Sequence, residues 1–414
     1  MRLTPPFLTL PLLLLLLFSG CFGRDSADRA VEVPSAAERQ AAEERAAKDK
    51  IFRHIAASIA ASLDDRQLAA QVIISGIDGR GHLAEDMKML LSECPAGGII
   101  LFRYNLNTDN AAIQSLIAES AALIASGSSV PPLVVVDHEG GAVNRFRVGV
   151  ADLPPAASYW EMAHNEGREA AIEQIKADSF NAGKMINVLG INTNLAPVAE
   201  YLNEDNHDFL EERSYGPDPA FTAQAAQAFI EGMELAGILC VAKHFPGSAG
   251  ADPHYFPSVL RGDKAALEEL AAPLVALISS GHVRALMVSH SAVPALDSAI
   301  ASLSPIVMGQ WLRQELGFSG IIICDDFSMA AAGGLPSHEG QSSLKPETAA
   351  VLSLAAGADM VLVWPPDLRR THRAIVAALA AESAADDGGL TRRRLQEAAE
   401  RIIFEKIRMG LINE

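Results

Sequence analysis

Eight short apolar segments that alternate with helical patterns predict a (β/α)8 barrel for this chain of 414 residues. The segments are continuously apolar and mostly β-branched, which is typical of strands buried on both faces of a parallel sheet. A count of eight favours a closed barrel over an open doubly wound sheet. The predicted strands are 72–77, 98–102, 133–137, 193–197, 239–245, 285–290, 321–326 and 360–365.

Helical patterns fill most of the intervals between these strands. Residues 111–126, 220–237 and 265–281 repeat apolar side chains at helical spacing, and 391–411 is a further helical pattern near the end of the sequence. Neither GxGxxG after a strand nor GxxxxGK[ST] occurs, so the sequence does not indicate a nucleotide-binding sheet.

Ionisable residues lie at the ends of five of the eight predicted strands. The carboxyl ends of barrel strands meet at one mouth, so these groups are expected to face one another there. They are Arg103, Asp137, Lys243 with His244, His290, and Asp325 with Asp326.

The first 20 residues have the pattern of an export signal. An apolar core of about a dozen residues follows Arg2 and is followed by Ser19-Gly20-Cys21. Small residues before a cysteine, directly after a leucine run, resemble a bacterial lipoprotein signal, in which Cys21 is lipidated and anchors the protein to the cell envelope. The alternatives are an ordinary signal peptide with a chance cysteine, or a short anchor.

The composition and charge of the chain indicate its domain organisation and its partners. Residues 21–50 are charged and Ala-rich and predict a tether or an exposed helix, whereas 51–414 predict the barrel. The formal net charge of −18 argues against a nucleic-acid partner. Three widely spaced cysteines remain after Cys21, so neither a disulfide framework nor a metal site is indicated. We expect no cofactor and a monomer.

Five short motifs occur in a fixed order along the chain. They are DHEGGAVNRF (137–146), ERSYG (212–216), KHFPG (243–247), Asp-Pro-His (252–254) and CDDFSM (324–329). Together they resemble glycoside hydrolase family 3, within it the single-domain β-N-acetylglucosaminidases, from about residue 60 to 412. Departures from the family pattern are Ser248 in place of a histidine, a linker about two residues shorter before Asp252, and Pro253 in place of a serine.

The resemblance implies the roles of the site residues. Asp325 matches the nucleophile of a retaining glycosidase, and Asp326 is better suited to a helix N-cap. His254, oriented by Asp252, matches the acid/base, and the unperturbed pKa of histidine near 6.5 suits that task. Asp252 could instead be a turn residue before proline. The residues that match sugar-binding positions are Asp137, Arg145, Arg213, Lys243 and His244.

Several of these residues keep alternative interpretations. Arg213 could form a surface ion pair with Glu211 or Glu212, and His290 could line the pocket or be structural. Asn192 and Asn194 are expected to form turns or support the site from behind. Stacking on sugar is one interpretation of the tryptophans, but core packing is expected for each of Trp160, Trp311 and Trp364.

The resemblance predicts a retaining exo-β-N-acetylglucosaminidase that removes terminal GlcNAc from peptidoglycan fragments or another amino-sugar glycan. A β-glucosidase of the same family is the enzymatic alternative, although those enzymes usually take a carboxylate acid/base from a second domain. Phosphorolysis instead of hydrolysis is a further alternative. A surface lipoprotein that binds glycan without turnover is the alternative outside the enzymes.

Overall fold

The computed structural model describes residues 36–147, 149–333, 344–381 and 389–412. The predicted signal sequence and Cys21 lie outside them. The chain divides into two units between Ala47 and Lys48, and the unit that begins at Lys48 contains the barrel. The predicted boundary at residue 50 falls inside a long helix, α1 (Ala36–Ser62).

Eight parallel strands form a closed barrel in sequence order, as predicted. The ring closes where Ile74 of the first strand pairs with Leu362 of the last. The strands are β1 (Ile73–Gly76), β2 (Gly98–Leu101), β3 (Leu133–Val136), β4 (Thr193–Asn194), β5 (Leu239–Phe245), β6 (Ala285–Val288), β7 (Ile321–Asp326) and β8 (Met360–Val363).

Strand β4 is shorter than the predicted strand 193–197. Pro197 has no N–H to donate to a neighbouring strand, so the ladder is interrupted there. The chain nevertheless stays beside β5, because Val198 forms an isolated parallel bridge with Lys243. Residues 195–200 therefore continue β4 along the mouth of the barrel and end at Glu200.

Helices cover the outside of the barrel. Most strand-to-strand connections carry one or two of them, and their apolar faces pack on strands that are buried on both sides. They are α2 (Asp65–Gln71), α3 (Glu85–Glu93), α4 (Arg103–Leu106), α5 (Asn110–Ser128), α6 (Ala156–Asn165), α7 (Arg168–Val188), α8 (His207–Leu210), α9 (Pro219–Leu235), α10 (Lys264–Leu270), α11 (Ala272–Ser279), α12 (Pro346–Ala356), α13 (Pro365–Ala381) and α14 (Arg392–Arg408), with a π-helical segment at Ile306–Glu315. Among the described residues, every helix is too short or too polar to cross a membrane.

A buried ionic group holds the end of the barrel opposite the mouth. Asp359, directly before β8, is fully buried and accepts hydrogen bonds from Arg313, Arg394 and Arg401. It also accepts the backbone N–H of Ile322 in β7 at 2.9 Å. One carboxylate thus connects two strands to the helices around them, and we refer to Asp359 and its three arginines as the basal cluster.

Candidate active site

The predicted strand-end residues meet at one mouth of the barrel. Asp137 follows β3 directly, Lys243 and His244 lie within β5, and Asp325 and Asp326 end β7. Because all eight strands are parallel, the carboxyl ends of β3, β5 and β7 open on the same side. The fold therefore gathers residues that are up to 189 positions apart, from Asp137 to Asp326, around one opening.

Four of the five predicted sugar-binding residues form one ionic network with Glu139. Lys243 donates from Nζ to Asp137 Oδ1 at 2.5 Å, and Arg145 donates to Asp137 Oδ2 at 2.6 Å. Lys243 also pairs with Glu139 Oε1 at 2.6 Å. Arg213 holds Glu139 with two hydrogen bonds, from Nε at 2.7 Å and from Nη2 at 2.9 Å. We call these five residues the strand-end ion cluster.

The charges of this cluster stabilise one another. Burial by itself raises the pKa of the Asp137 carboxyl, but Lys243 and Arg145 outweigh it and hold the pKa well below its usual range. Burial is outweighed at Glu139 too, where Arg213 and Lys243 lower the pKa. For Lys243, burial favours the neutral amine, yet the two carboxylates raise the pKa above its ordinary value. The shifts of Asp137, Glu139 and Lys243 therefore all favour the charged forms.

Two features of this cluster were not predicted from the sequence. Glu139 was not among the predicted site residues, and the carboxylate that pairs with Arg213 is neither Glu211 nor Glu212. Arg213 pairs with Glu139, whereas Glu212 accepts the backbone N–H of Ala142 at 2.7 Å. Glu139 lies two residues after Asp137, and side chains two apart share a face in extended chain. That spacing is the signal that could have identified it.

His244 is held by a second carboxylate, Glu200. His244 Nδ1 lies 2.7 Å from Glu200 Oε1, which also accepts the His244 backbone N–H at 3.2 Å. Ser248 donates from Oγ to Glu200 Oε2 at 2.5 Å, so both carboxylate oxygens are used. Burial raises the pKa of Glu200, but the bonds from His244 and Ser248 outweigh it and lower the pKa below its ordinary value. Glu200 had no motif to indicate it, because it lies in the irregular extension of β4.

Asp325 and Asp326 have different surroundings at the end of β7. Asp325 Oδ1 accepts the backbone N–H of Asp326 at 2.9 Å, and the Asp325 side chain lines a cavity inside the mouth. Asp326 accepts the backbone N–H and the hydroxyl of Ser328 and the indole N–H of Trp364. Burial raises the pKa of Asp326. The sequence analysis expected Asp326 to be a helix N-cap, but its bonds to Ser328 close a turn, and the next helical segment begins only at Ala330.

Asp252 and His254 form the expected pair on the loop after β5. His254 Nδ1 lies 2.6 Å from Asp252 Oδ1, which also accepts the His254 backbone N–H at 2.9 Å. Asp252 is therefore both a turn residue and the partner of the imidazole. Burial tends to raise the pKa of Asp252, but the bonds from His254 lower it overall. The His254 side chain is 60% exposed, in contrast to the 4% of Lys243.

The loop of the pair reaches the region of Asp325. The Pro253 carbonyl accepts the N–H of Ala331, in the segment that follows β7, at 3.1 Å. Pro253, His244, His290 and Asp325 also line the same cavity of about 10 Å³. That volume holds roughly one water molecule.

The other candidate residues support the mouth. His290 is buried between Ser302, at 2.7 Å, and the Asp326 carbonyl, at 3.0 Å, and burial lowers its pKa. Its ring is thus structural and also lines the cavity. Asn194 joins β4 to β3 through two bonds with the His138 backbone, and Asn192 accepts the N–H of Val134.

The three tryptophans have different environments. Trp311 is buried and packs on Phe245, with ring centroids 4.8 Å apart. Trp160 packs on Phe221. Trp364 is partly exposed and lines a surface cavity at the mouth, so it does more than fill the core. Within the described ranges, no group of three or more His, Cys, Asp or Glu side chains is arranged to hold a metal ion.

Known proteins are similar to this chain in sequence and in fold. The family profile described as the glycosyl hydrolase family 3 N terminal domain matches residues 64–404. A beta-hexosaminidase of Idiomarina loihiensis is 34% identical over 300 residues, which cover 71% of this chain and 83% of that protein.

Two solved structures extend the comparison. The glycoside hydrolase family 3 beta-N-acetylglucosaminidase of Paenibacillus sp. is 28% identical with a TM-score of 0.74, over 85% of this chain and 64% of that one. NagZ of Neisseria gonorrhoeae, in complex with N-trifluoroacetyl-D-glucosamine, is 28% identical with a TM-score of 0.64, over 80% of this chain and 88% of that one. The strand-end site is thus carried by a fold and a sequence that both match one family: the chain belongs to glycosyl hydrolase family 3.

Proposed function

We propose that this glycoside hydrolase is a retaining exo-β-N-acetylglucosaminidase, with Asp325 as nucleophile and the Asp252–His254 pair as acid/base. The observation that carries the proposal is the loop after β5, which holds an imidazole bonded to a carboxylate and, through Pro253, borders the cavity of Asp325. The beta-hexosaminidase of Idiomarina loihiensis and the other relatives support the hexosaminidase type.

Two proton-coupled steps follow from these positions. In the first, an Asp325 oxygen forms a bond to the anomeric carbon while the bond to the leaving oxygen breaks, and that oxygen takes the proton from His254 Nε2. In the second, a water attacks the same carbon, His254 Nε2 takes its proton, and Asp325 leaves. Asp252 holds Nδ1, so Nε2 is the nitrogen that exchanges protons.

The strand-end ion cluster suits the hydroxyls of the terminal sugar. Asp137 can accept hydrogen bonds from two hydroxyls, and Lys243, Arg145 and Arg213 can donate to others. Their mutual bonds fix these groups before the sugar binds. The substrate that we propose is terminal non-reducing β-GlcNAc on peptidoglycan fragments or another amino-sugar glycan, since the relatives are hexosaminidases and NagZ of Neisseria gonorrhoeae holds an N-acylated glucosamine.

A comparison of two substrates tests the proposed activity. We expect kcat/KM to be at least about 100-fold higher for 4-nitrophenyl β-GlcNAc than for 4-nitrophenyl β-glucoside, since a site built for the acetamido group loses those contacts with glucose. Initial rates of nitrophenol release measure the ratio. A preference for glucose would contradict the amino-sugar assignment, and the absence of release from both by folded protein would favour a glycan-binding role.

The acid/base pair makes a separate prediction. His254→Ala should lower kcat/KM about 100- to 1,000-fold for a substrate with a sugar leaving group, because that oxygen needs a proton. The loss should be smaller for 2,4-dinitrophenyl β-GlcNAc, whose leaving group departs without protonation. Rates for both substrates, measured on the wild type and the variant, give the comparison. Equal losses on the two substrates would argue that His254 only shapes the loop.

The sequence pattern at residues 1–21 supports export and lipid attachment at Cys21, with residues 21–50 as a tether between the membrane and the barrel. In bacteria that export the full chain, a lipid label should appear on the wild type and be lost in Cys21→Ser. Incorporation of an alkyne fatty acid, read after gel separation, measures this. Labelling of the Cys21→Ser variant would contradict the proposal.

A further inference from the structure

Three buried serines lie at the base of the loop that carries the proposed acid/base pair. We call residues 247–258 the acid/base loop. Ser289 and Ser291 follow β6 directly, and Ser258 lies where the loop returns to the barrel. The Gly247 carbonyl, at the start of the loop, accepts the hydroxyls of Ser289 at 3.1 Å and of Ser291 at 3.0 Å. The first arm of the loop is thus bonded to the end of β6.

The hydroxyls of Ser258 and Ser291 form a chain of hydrogen bonds that joins the two arms of the loop. Ser258 Oγ accepts the Ala249 backbone N–H at 3.1 Å and lies 2.8 Å from Ser291 Oγ. A hydroxyl has one proton to donate, and that of Ser291 goes to the Gly247 carbonyl, so Ser258 donates to Ser291. The chain therefore runs from the Ala249 N–H through both hydroxyls to Gly247. We call Ser258 and Ser291 the serine chain.

Backbone hydrogen bonds hold the second arm of the loop against the same segment. The Ala292 N–H donates to the Ser258 carbonyl at 2.8 Å, and the Leu260 N–H donates to the Ala292 carbonyl at 2.9 Å. Asp252 follows Ala249 by three positions. The proposed acid/base pair therefore lies within a few residues of the serine chain, and the position of the imidazole depends on how the base of the loop is held.

The residue between the two β6 serines holds the strand that ends in the proposed nucleophile. Neighbouring side chains alternate in extended chain, and the His290 ring lies 3.0 Å from the Asp326 carbonyl at the end of β7. Ser291 and Asp325 line the same small cavity. Residues 289–291 thus contact the acid/base loop through their serines and the end of β7 through their histidine.

We propose that Ser258 and Ser291 are positioning residues for the acid/base, and that residues 289–291 set the separation between His254 and Asp325. This inference rests on the proposed function. The imidazole must lie within hydrogen-bond reach of the leaving oxygen while the carboxylate reaches the anomeric carbon. A displacement of about 1 Å can lower the rate about 100-fold. Removal of one hydroxyl leaves a buried group at the base of the loop without its partner, and the imidazole moves with the loop.

The test compares two leaving groups. N,N′-diacetylchitobiose releases a sugar whose oxygen needs a proton, whereas 2,4-dinitrophenyl β-GlcNAc releases a phenolate that needs none. Ser291→Ala lowers kcat/KM on chitobiose about 10- to 100-fold. It leaves kcat/KM on the dinitrophenyl glycoside within about threefold, because this constant includes only the steps up to departure of the leaving group. Ser258→Ala interrupts the serine chain at the neighbouring hydroxyl and gives the same pattern.

Combination with His254→Ala separates positioning from general packing. If Ser291 acts through the imidazole, Ser291→Ala lowers kcat/KM on chitobiose by less than about twofold once His254 is already alanine. A serine that only supports the fold lowers kcat/KM on both substrates, with or without the imidazole. An undiminished loss in the His254→Ala background would therefore overturn the inference.

Ser120→Ala is the matched control. Ser120 is also buried, but its hydroxyl donates to the Leu116 carbonyl within α5, so both kcat/KM values stay unchanged. Equal losses on the two substrates, or no loss on either, in Ser291→Ala and Ser258→Ala would overturn the inference alone. If the folded wild type hydrolyses neither substrate, the proposed function fails and the inference with it.

Discussion

The Asp325→Ala variant is expected to lose at least about 10,000-fold in kcat on 4-nitrophenyl β-GlcNAc, because removal of a nucleophile leaves only binding and electrostatic contributions. Its fold should be unchanged, since the one hydrogen bond to the Asp325 carboxylate that the structure shows comes from the adjacent backbone N–H. Steady-state rates and circular dichroism measure the two properties.

Azide can distinguish the nucleophile from a merely polar residue. In the Asp325→Ala variant, azide can enter the space of the carboxylate and attack the anomeric carbon from the same face. It should restore activity on 2,4-dinitrophenyl β-GlcNAc and give the α-glycosyl azide, which NMR identifies. Asp326→Asn is the matched control, because the neighbouring carboxylate caps the Ser328 turn and should give no azide product. A β-azide, or activity retained without azide, would assign the nucleophile elsewhere.

The Lys243→Met variant is expected to be about 3–5 kcal/mol less stable to unfolding at pH 7, because Asp137 and Glu139 would remain largely shielded from solvent with one cation fewer. Urea denaturation monitored by fluorescence measures the change. Lys176→Met is the control. Lys176 also forms a 2.6 Å ion pair, with Glu231, but both side chains are partly exposed, so the cost should be below about 1 kcal/mol.

As the pH falls, the stability of Lys243→Met to unfolding should change in the opposite direction to that of the wild type. The folded pKa values of Asp137 and Glu139 are lowered, so their stabilisation is present above the unfolded pKa near 4 and is lost as the pH falls through the folded values. Without Lys243, desolvation and mutual repulsion should raise one folded pKa above its unfolded value. The difference between the two proteins should then shrink from pH 7 to pH 5. A constant difference would indicate that lost packing, not charge, causes the effect.

The sequence allowed the fold and most of the strand-end residues to be predicted. Continuous apolar runs identify buried parallel strands, and a parallel barrel brings their ends together whatever the loops do. Asp137, Lys243 and Asp325 could therefore be placed at one mouth from strand position. Arg145, Arg213 and the His254 pair required the family resemblance, because loop residues have no periodicity to locate them.

Pairing within the site could not be predicted. Glu139 and Arg213 are 74 residues apart, and Glu200 and His244 are 44 apart, so their contacts depend on how the segments outside the regular strands fold over the mouth. Glu200 lies in an extension that Pro197 excludes from the regular ladder, and no pattern indicates its direction. The sequence showed that Ser248 stands where the family has a histidine. Its hydroxyl donates to Glu200, which explains how the shorter side chain can occupy that position.

The basal cluster has a consequence for how this protein can evolve. Asp359 and its arginines hold β7, β8 and the surrounding helices at the end of the barrel away from the mouth. The loops that carry Arg145 and His254 do not share these bonds. Mutations in those loops can therefore accumulate without weakening the framework. New glycan preferences are accessible to descendants of this sequence in small steps, each of which leaves a folded protein for selection to act on.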